Sequence, residues 1–229
     1  MTDDAPVPAP SQSPSLLTRA FLDSAPRAYV HRGSWSKADI YEIETQDGPV
    51  VVKDFSAKPL PVRWIGRLQI SRECAAYRAL AGVPGIVRWL GRVDAHALVL
   101  ERLEGAPLRK FRKRGGRQEL LAALRTILER VHERGVIHND LRGKDNTMVR
   151  ADGRVVLIDF AGAFLFRKGG FWYRHLFARL ARVDEAAYLK WKKILDPASL
   201  TPEEKRFLRR FAMFRRLWLF NPKGALRQS

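Results

Sequence analysis

Three features of the sequence predict an α+β fold. Residues 28–100 hold short runs rich in Val, Ile, Leu and Tyr, cut by turn-forming Gly, Pro and Asp and interrupted by one helical stretch. Residues 118–134 place Leu120, Leu121, Leu124, Ile127, Leu128 and Val131 on one helical stripe. Beyond residue 163, helix signals take over. A chain of 229 residues, 46% of them apolar, can bury one sizeable core or two small lobes sharing a cleft. The expected division is a disordered tail over residues 1–15, a β-rich lobe over 16–104 and a short helical lobe over 105–229 with a basic C-terminus.

Charge narrows the partners. The formal net charge is +18, and from residue 164 onward 16 Lys/Arg face 5 Asp/Glu, a net of +11. A field of that sign favours anionic partners: nucleic acid, an acidic membrane surface or phosphorylated substrates. The alternative is a solvated basic surface. A single cysteine, Cys74, excludes an internal disulfide framework and fits a reducing compartment. Set in a helical run beside alanine and tyrosine, it reads as a small buried hydrophobe. The N-terminus carries Asp3 and Asp4 and then prolines, without the basic and apolar regions of a signal peptide. No apolar run reaches the roughly 18 residues that a membrane-spanning helix needs. The expected location is therefore the cytoplasm, with peripheral contact at the inner membrane left open.

In chain order, residues 16–25 read as a short helix on the first lobe. Residues 28–31 and 38–45 read as strands around Arg32-Gly-Ser-Trp-Ser-Lys37, and residues 46–49 as a turn into a strand over 50–54. Lys53 follows three valines, so a cation sits on a strand built for burial. It needs an anionic partner, unless it reaches water from the strand end. Glu73 lies close to the apolar face of a helix predicted over 65–81 from Ile65, Leu68, Ile70, Cys74, Tyr77 and Leu80. It reads either as that partner or as a surface carboxylate. Residues 82–85 end the helix, and 86–93 and 96–100 form an antiparallel pair about Asp94-Ala95. Residues 109–117 are a dense exposed basic run, a patch for phosphate, nucleic acid or membrane. The helix over 118–134 stops at Gly135. Three more helices are expected over 171–183, 185–195 and 201–219, the last opening with Thr201-Pro-Glu-Glu204.

Residues 136–163 carry the chemistry. Strands over 147–150 and 154–158, joined by Ala151-Asp-Gly153, form a hairpin that brings Asp140, Asn146 and Asp159 to one end of a small sheet. Two carboxylates and an amide suit a hard cation such as Mg²⁺, which leaves room for substrate phosphates.

His138-Asn-Asp-Leu141 with Asn146 resembles the catalytic loop of the protein-kinase-like superfamily, and Asp159-Phe-Ala161 resembles its metal-binding Asp-Phe-Gly. Lys53 followed by Glu73 is similar to its strand-Lys, helix-Glu ion pair. The resemblance covers roughly residues 29–208 and lies nearest the small bacterial kinases of the RIO and lipopolysaccharide (Kdo/heptose) kinase families. It implies a two-lobed fold, Mg²⁺ and ATP, and a hydroxyl acceptor. Asp140 would accept the hydroxyl proton, while Asn146 and Asp159 hold Mg²⁺ and Lys144 or Arg142 neutralises the transferring phosphate. Glu73 would aim Lys53 at the α- and β-phosphates. Gly33 and Ser34, with Ser36 and Lys37, would cover the phosphates, unless this is an ordinary hairpin loop. Main-chain groups of Glu101 and Leu103 would hold adenine. His138 is expected to be structural, hydrogen-bonded to backbone near Asp159.

The sequence also departs from the family pattern. Gly33 stands alone where Gly-x-Gly-x-x-Gly is usual. The position five after Asp140 is Asp145, so Asp145 rivals Asn146 as metal ligand. Ala161 replaces the glycine, with Gly162 one residue late, and no Ala-Pro-Glu follows. The families differ in acceptor: lipopolysaccharide kinases phosphorylate a core sugar at the inner membrane face, whereas RIO-type enzymes act on protein or as ATPases. The rings of Phe171, Trp172, Tyr173, Trp191, Phe214, Trp218 and Phe220 fit a core, a membrane surface or RNA. The expected function is an ATP-dependent kinase acting on an envelope glycolipid. The alternatives are a RIO-like serine/threonine kinase or ATPase, a nucleotide-binding pseudokinase scaffold and, third, a plain nucleic-acid-binding protein.

Overall fold

The computed structural model describes residues 17–141, 143 and 145–217, and the fold is α+β. After helix α1 (Arg19–Ser24) come strands β1 (Ala28–His31), β2 (Asp39–Thr45) and β3 (Gly48–Asp54), helix α2 (Leu60–Ala79), and strands β4 (Trp89–Arg92) and β5 (Ala97–Glu101). The five strands form one antiparallel sheet in the order β1-β2-β3-β5-β4. Alternation along β5 sends Ala97 and Val99 to one face and Leu98 to the other. On the first face they pack with Leu22 of α1, Tyr41, Ile43, Val50 and Val52. On the second, Leu98 packs with Phe55 and with Val62, Ile70 and Cys74 of α2. Gly66 lets α2 close onto Phe55, since a Cβ at Gly66 would stand 2.5 Å from the Phe55 ring.

Periodicity mistook part of the inner face of α2. The stripe predicted to be buried included Ile65 and Leu68, and both are exposed. The buried side is Val62, Gly66, Ile70, Glu73, Cys74 and Tyr77. A spacing of three or four fits either set, and the glycine that makes the close approach carries no apolar signal. The helix also starts five residues earlier than predicted, after Pro59.

The rest of the chain runs through β6 (Gly105–Pro107), a 3₁₀ turn (Leu108–Phe111), α3 (Arg117–Glu133), β7 (Val136–Ile137), β8 (Thr147–Arg150), β9 (Val155–Leu157) and β10 (Phe164–Leu165). A π-helical turn (Tyr173–Phe177) then leads into α4 (Ala178–Leu195), a 3₁₀ turn (Pro197–Ser199) and α5 (Pro202–Leu217). The predicted hairpin is β8–β9, widened by β6 into a three-stranded sheet, and β7 pairs with β10. These elements share the largest core with the C-terminal end of α2, through Tyr77, Leu80, Leu124, Leu128, Leu157, Phe160 and Trp191. The short strands β6, β7 and β10 lie outside the predicted set, being too brief for alternation to register. The two helices expected over 171–183 and 185–195 are one run through Asp184. Asp184, the residue between the two expected ranges, shares a stripe with Ala187, Tyr188, Trp191 and Leu195, all buried.

Gly135 closes α3 as predicted. It takes φ +72°, its amide bonds the His132 carbonyl at 2.9 Å, and a Cβ there would meet the Phe166 carbonyl at 2.3 Å. The predicted N-terminal tail, the end of the last helix with Trp218 and Phe220, and both Arg142 and Lys144 lie outside the described residues, as does the Phe214 side chain. No helix among the described residues is long and apolar enough to cross a membrane.

Candidate functional site

Lys53 lies on β3 at the centre of the larger sheet, half-buried, and its Nζ bonds two carboxylates: Glu73 Oε2 at 2.8 Å and Asp159 Oδ1 at 2.8 Å. Glu73 is fully buried on α2, where a carboxylate without a cation is untenable. Tyr77, one turn further along, donates its hydroxyl to Glu73 Oε1 at 3.4 Å and accepts the Asp159 amide at 3.3 Å. A strand, a helix and the loop after β9 are thus fastened at one point.

Burial sets the electrostatics. It works to strip the proton from Lys53, but the charges of Glu73 and Asp159 prevail and hold the ammonium above the ordinary lysine value. Burial raises the Glu73 carboxyl, and Lys53 offsets only part of that. At Asp159 burial pushes upward too, yet Lys53 and the Ala161 amide bring the carboxyl below its usual range. The Asp159 side chain stays 43% exposed and therefore presents charge to solvent. One ammonium between two carboxylates leaves a net negative point that a further cation can neutralise.

The loop after β7 stands beside it. His138 is fully buried, its Nε2 is 3.1 Å from the Ile158 carbonyl, and its ring lies 4.5 Å from that of Phe160. The structural role expected of His138 is what is seen. Asn139 and Asp159 both take left-handed backbone, φ 62° and 64°, a region that asparagine and aspartate enter more readily than other residues with a side chain. Asp184 holds the Asn139 backbone in place. Its Oδ2 accepts the His138 amide and its Oδ1 the Asn139 amide, both at 2.8 Å, and His132 Nε2 lies 3.1 Å from Oδ2. Trp191, two turns further along α4, donates its indole N–H to the Leu141 carbonyl at 3.2 Å. Asp184 and Tyr77 are the residues that sequence reasoning missed. A carboxylate on the apolar stripe of α4 was the available signal.

Asn146 is buried and donates Nδ2 to the Asp140 carbonyl at 2.8 Å and to its Oδ2 at 3.3 Å. Gly143 permits this, since a Cβ there would stand 2.4 Å from Asn146 Nδ2. The rival Asp145 faces elsewhere: it is exposed and takes two bonds from Arg109, at 3.3 and 3.2 Å. Among the described residues, no three His, Cys, Asp or Glu side chains converge as a metal cage. Asp159 and Asn146 carry side-chain oxygens of the hard type that Mg²⁺ takes, an ion held by one or two protein groups together with phosphates and water.

The remaining predicted residues are placed as follows. The Gly33 amide donates to Asp39 Oδ1 at 3.0 Å, and the Ser34 carbonyl accepts the Lys37 amide at 3.0 Å. A Cβ on Gly33 would meet the Ala38 carbonyl at 2.2 Å, so the glycine permits a tight loop, and its amide is committed within it. Glu101 donates its amide to the Arg88 carbonyl at 2.9 Å, while its carboxylate takes Arg150 at 2.5 Å. Leu103 is half-buried against the larger core. Lys144 is outside the described residues. Cys74 is buried as expected, and burial pushes its thiol up to about 11, which leaves no thiolate at neutral pH. Compared with known proteins, the chain matches no protein-family model and no curated protein.

Proposed function

We propose that this chain is an ATP-dependent kinase of two-lobed, protein-kinase-like fold, transferring the γ-phosphate to a hydroxyl with Mg²⁺. The observation that carries the reading is Lys53 Nζ held 2.8 Å from both Glu73 and Asp159. Three residues far apart in sequence meet there with the order and chemistry that the resemblance requires. Asn146 against Asp140 supports it from the neighbouring loop.

In this reading each side chain has a task. Lys53, kept charged and aimed by Glu73, binds the α- and β-phosphates. Asp159 and Asn146 hold Mg²⁺, and Asn146 is preferred to Asp145 because Asp145 is paired with Arg109 on the surface. Bound Mg²⁺ neutralises charge on the phosphates as the transfer proceeds. Asp140, steadied by Asn146, orients the acceptor hydroxyl and takes its proton. Asp184 holds the loop that carries Asp140. The acceptor we favour is a sugar of an envelope glycolipid, reached from the cytoplasmic face of the membrane. The net charge of +18 and the exposed cations over 109–117, joined to the loop through Arg109, support an anionic acceptor.

Transfer of label from γ-labelled ATP into cell extract separated into lipid, protein and RNA fractions tests this, with Asp140→Asn as the control. Label entering glycolipid with the wild type alone is expected, and the variant should lose at least about a hundredfold in rate. Label in protein alone would move the acceptor to a RIO-like substrate. No transfer despite nucleotide binding would replace the kinase by a scaffold.

A further inference from the structure

The outward face of α2 is apolar. Leu60, Trp64 and Leu68 recur every fourth residue and are 67%, 68% and 70% exposed, with Ile65 beside them also exposed. A surface helix normally turns such residues inward and polar ones outward. Here the inward side is already complete, so the helix is apolar on two faces. At 100° per residue, the exposed Arg67 borders the outer stripe on one side and the exposed Arg72 on the other, while Arg63 turns its guanidinium to within 3.4 Å of His96 Nε2. The Arg67 guanidinium lies 5.5 Å from the Trp64 ring.

No Asp or Glu occurs between residues 55 and 72, and the first turn of α2 has none either, although the helix dipole would favour acidic residues there. Trp35, 74% exposed, sits in the β1–β2 connection. Lys58, two residues before α2, ties that connection down by bonding the Gly33 carbonyl at 3.2 Å and Asp39 at 2.7 Å. Beyond the helix, α2 packs against β10, whose Phe164 and Leu165 are partly exposed.

We propose that this face docks on a bilayer rich in acidic phospholipids, with Leu60, Trp64, Leu68 and Trp35 in the interface and the exposed Arg67 and Arg72 at headgroup level. Charge chooses the occupant. A second copy of the chain would bring the same cations to the same place, which is repulsive. A nucleic acid would use the arginines and rings but finds no counterpart for Leu60, Ile65 and Leu68. A convex stripe of aliphatic and tryptophan side chains between arginines is the composition of a helix lying in a membrane surface. The proposal stands on α2 and Trp35 alone and is independent of phosphoryl transfer.

Co-sedimentation of the full chain, without nucleotide, with phosphatidylglycerol vesicles and with phosphatidylcholine vesicles tests it. The decisive variant is Trp64→Ser with Leu68→Ser, which removes apolar surface and no charge; circular dichroism checks its fold. Wild type is expected to bind phosphatidylglycerol vesicles and to keep part of that binding at high salt. The variant should bind about tenfold more weakly or worse, since burying even one such side chain is worth that much. Trp35→Ser with Leu60→Ser, an independent pair, should weaken binding in the same direction. Variants that bind like wild type would overturn the proposal and leave only general attraction by net charge. So would a wild type that ignores phosphatidylglycerol vesicles.

Discussion

At the scale of single residues, the site rests on charges that are tolerable only together. Glu73 has no exposed surface, and Lys53 supplies its counter-charge at 2.8 Å. Removing one member of a buried pair typically costs more than the pair contributes, because the other is left buried and uncompensated. Glu73→Gln keeps the shape and deletes the charge. It is expected to lower stability by about 3 kcal/mol in urea unfolding. It should also weaken ATP binding, since Lys53 is then drawn to Asp159 alone. A variant as stable as wild type would mean that the pair contributes little. Asp159 shows the converse arrangement, with one carboxylate oxygen on Lys53 and a side chain still partly open to solvent, suited to a cation that comes and goes.

Among elements, α4 governs the loop. Asp184, in the middle of a continuous helix, accepts two backbone amides and faces His132, and so holds Asn139 in a left-handed conformation. Asp184→Ala leaves those buried donors unsatisfied and should destabilise the protein by about 3–5 kcal/mol in denaturant titration. Asp184→Asn should recover part of that loss, because one amide oxygen remains to accept. Equal stability of both variants with wild type would mean that α4 does not hold the loop. This element was also the least legible one. The sequence reading ends one helix at 183 and starts the next at Glu185, whereas the structure runs one helix through both, buries Asp184 and pairs Glu185 with Arg125 at 2.6 Å. By contrast, the β8–β9 hairpin and the stripe of α3 were legible, since each follows from local turn chemistry and unbroken periodicity. Lys53 and Glu73 were legible as charges on apolar elements. Tyr77 was not, because a tyrosine on a buried helical face looks like core until its hydroxyl finds partners.

For the molecule as a whole, the parts agree on a single arrangement. The sheet delivers Lys53, α2 delivers Glu73, and the hairpin with its flanking loops delivers Asn146 and Asp159. Net charge of +18 surrounds a site whose own ionised groups are mostly carboxylates, an arrangement that draws anions in and still leaves a place for a cation. Charge distribution of that kind could be inferred from composition. The outward apolar face of α2 could not, because periodicity counts apolar residues without knowing which side meets the core.

We propose that Asp159 holds Mg²⁺ for a nucleotide, and calorimetric titration of the purified chain with ATP, with and without Mg²⁺, tests this assignment. Wild type should bind ATP in a Mg²⁺-dependent manner. Asp159→Ala should lose that dependence and at least about tenfold in affinity while keeping its circular dichroism, because Lys53 and Glu73 still pair. ATP binding indifferent to Mg²⁺, or equal in the variant, would contradict it.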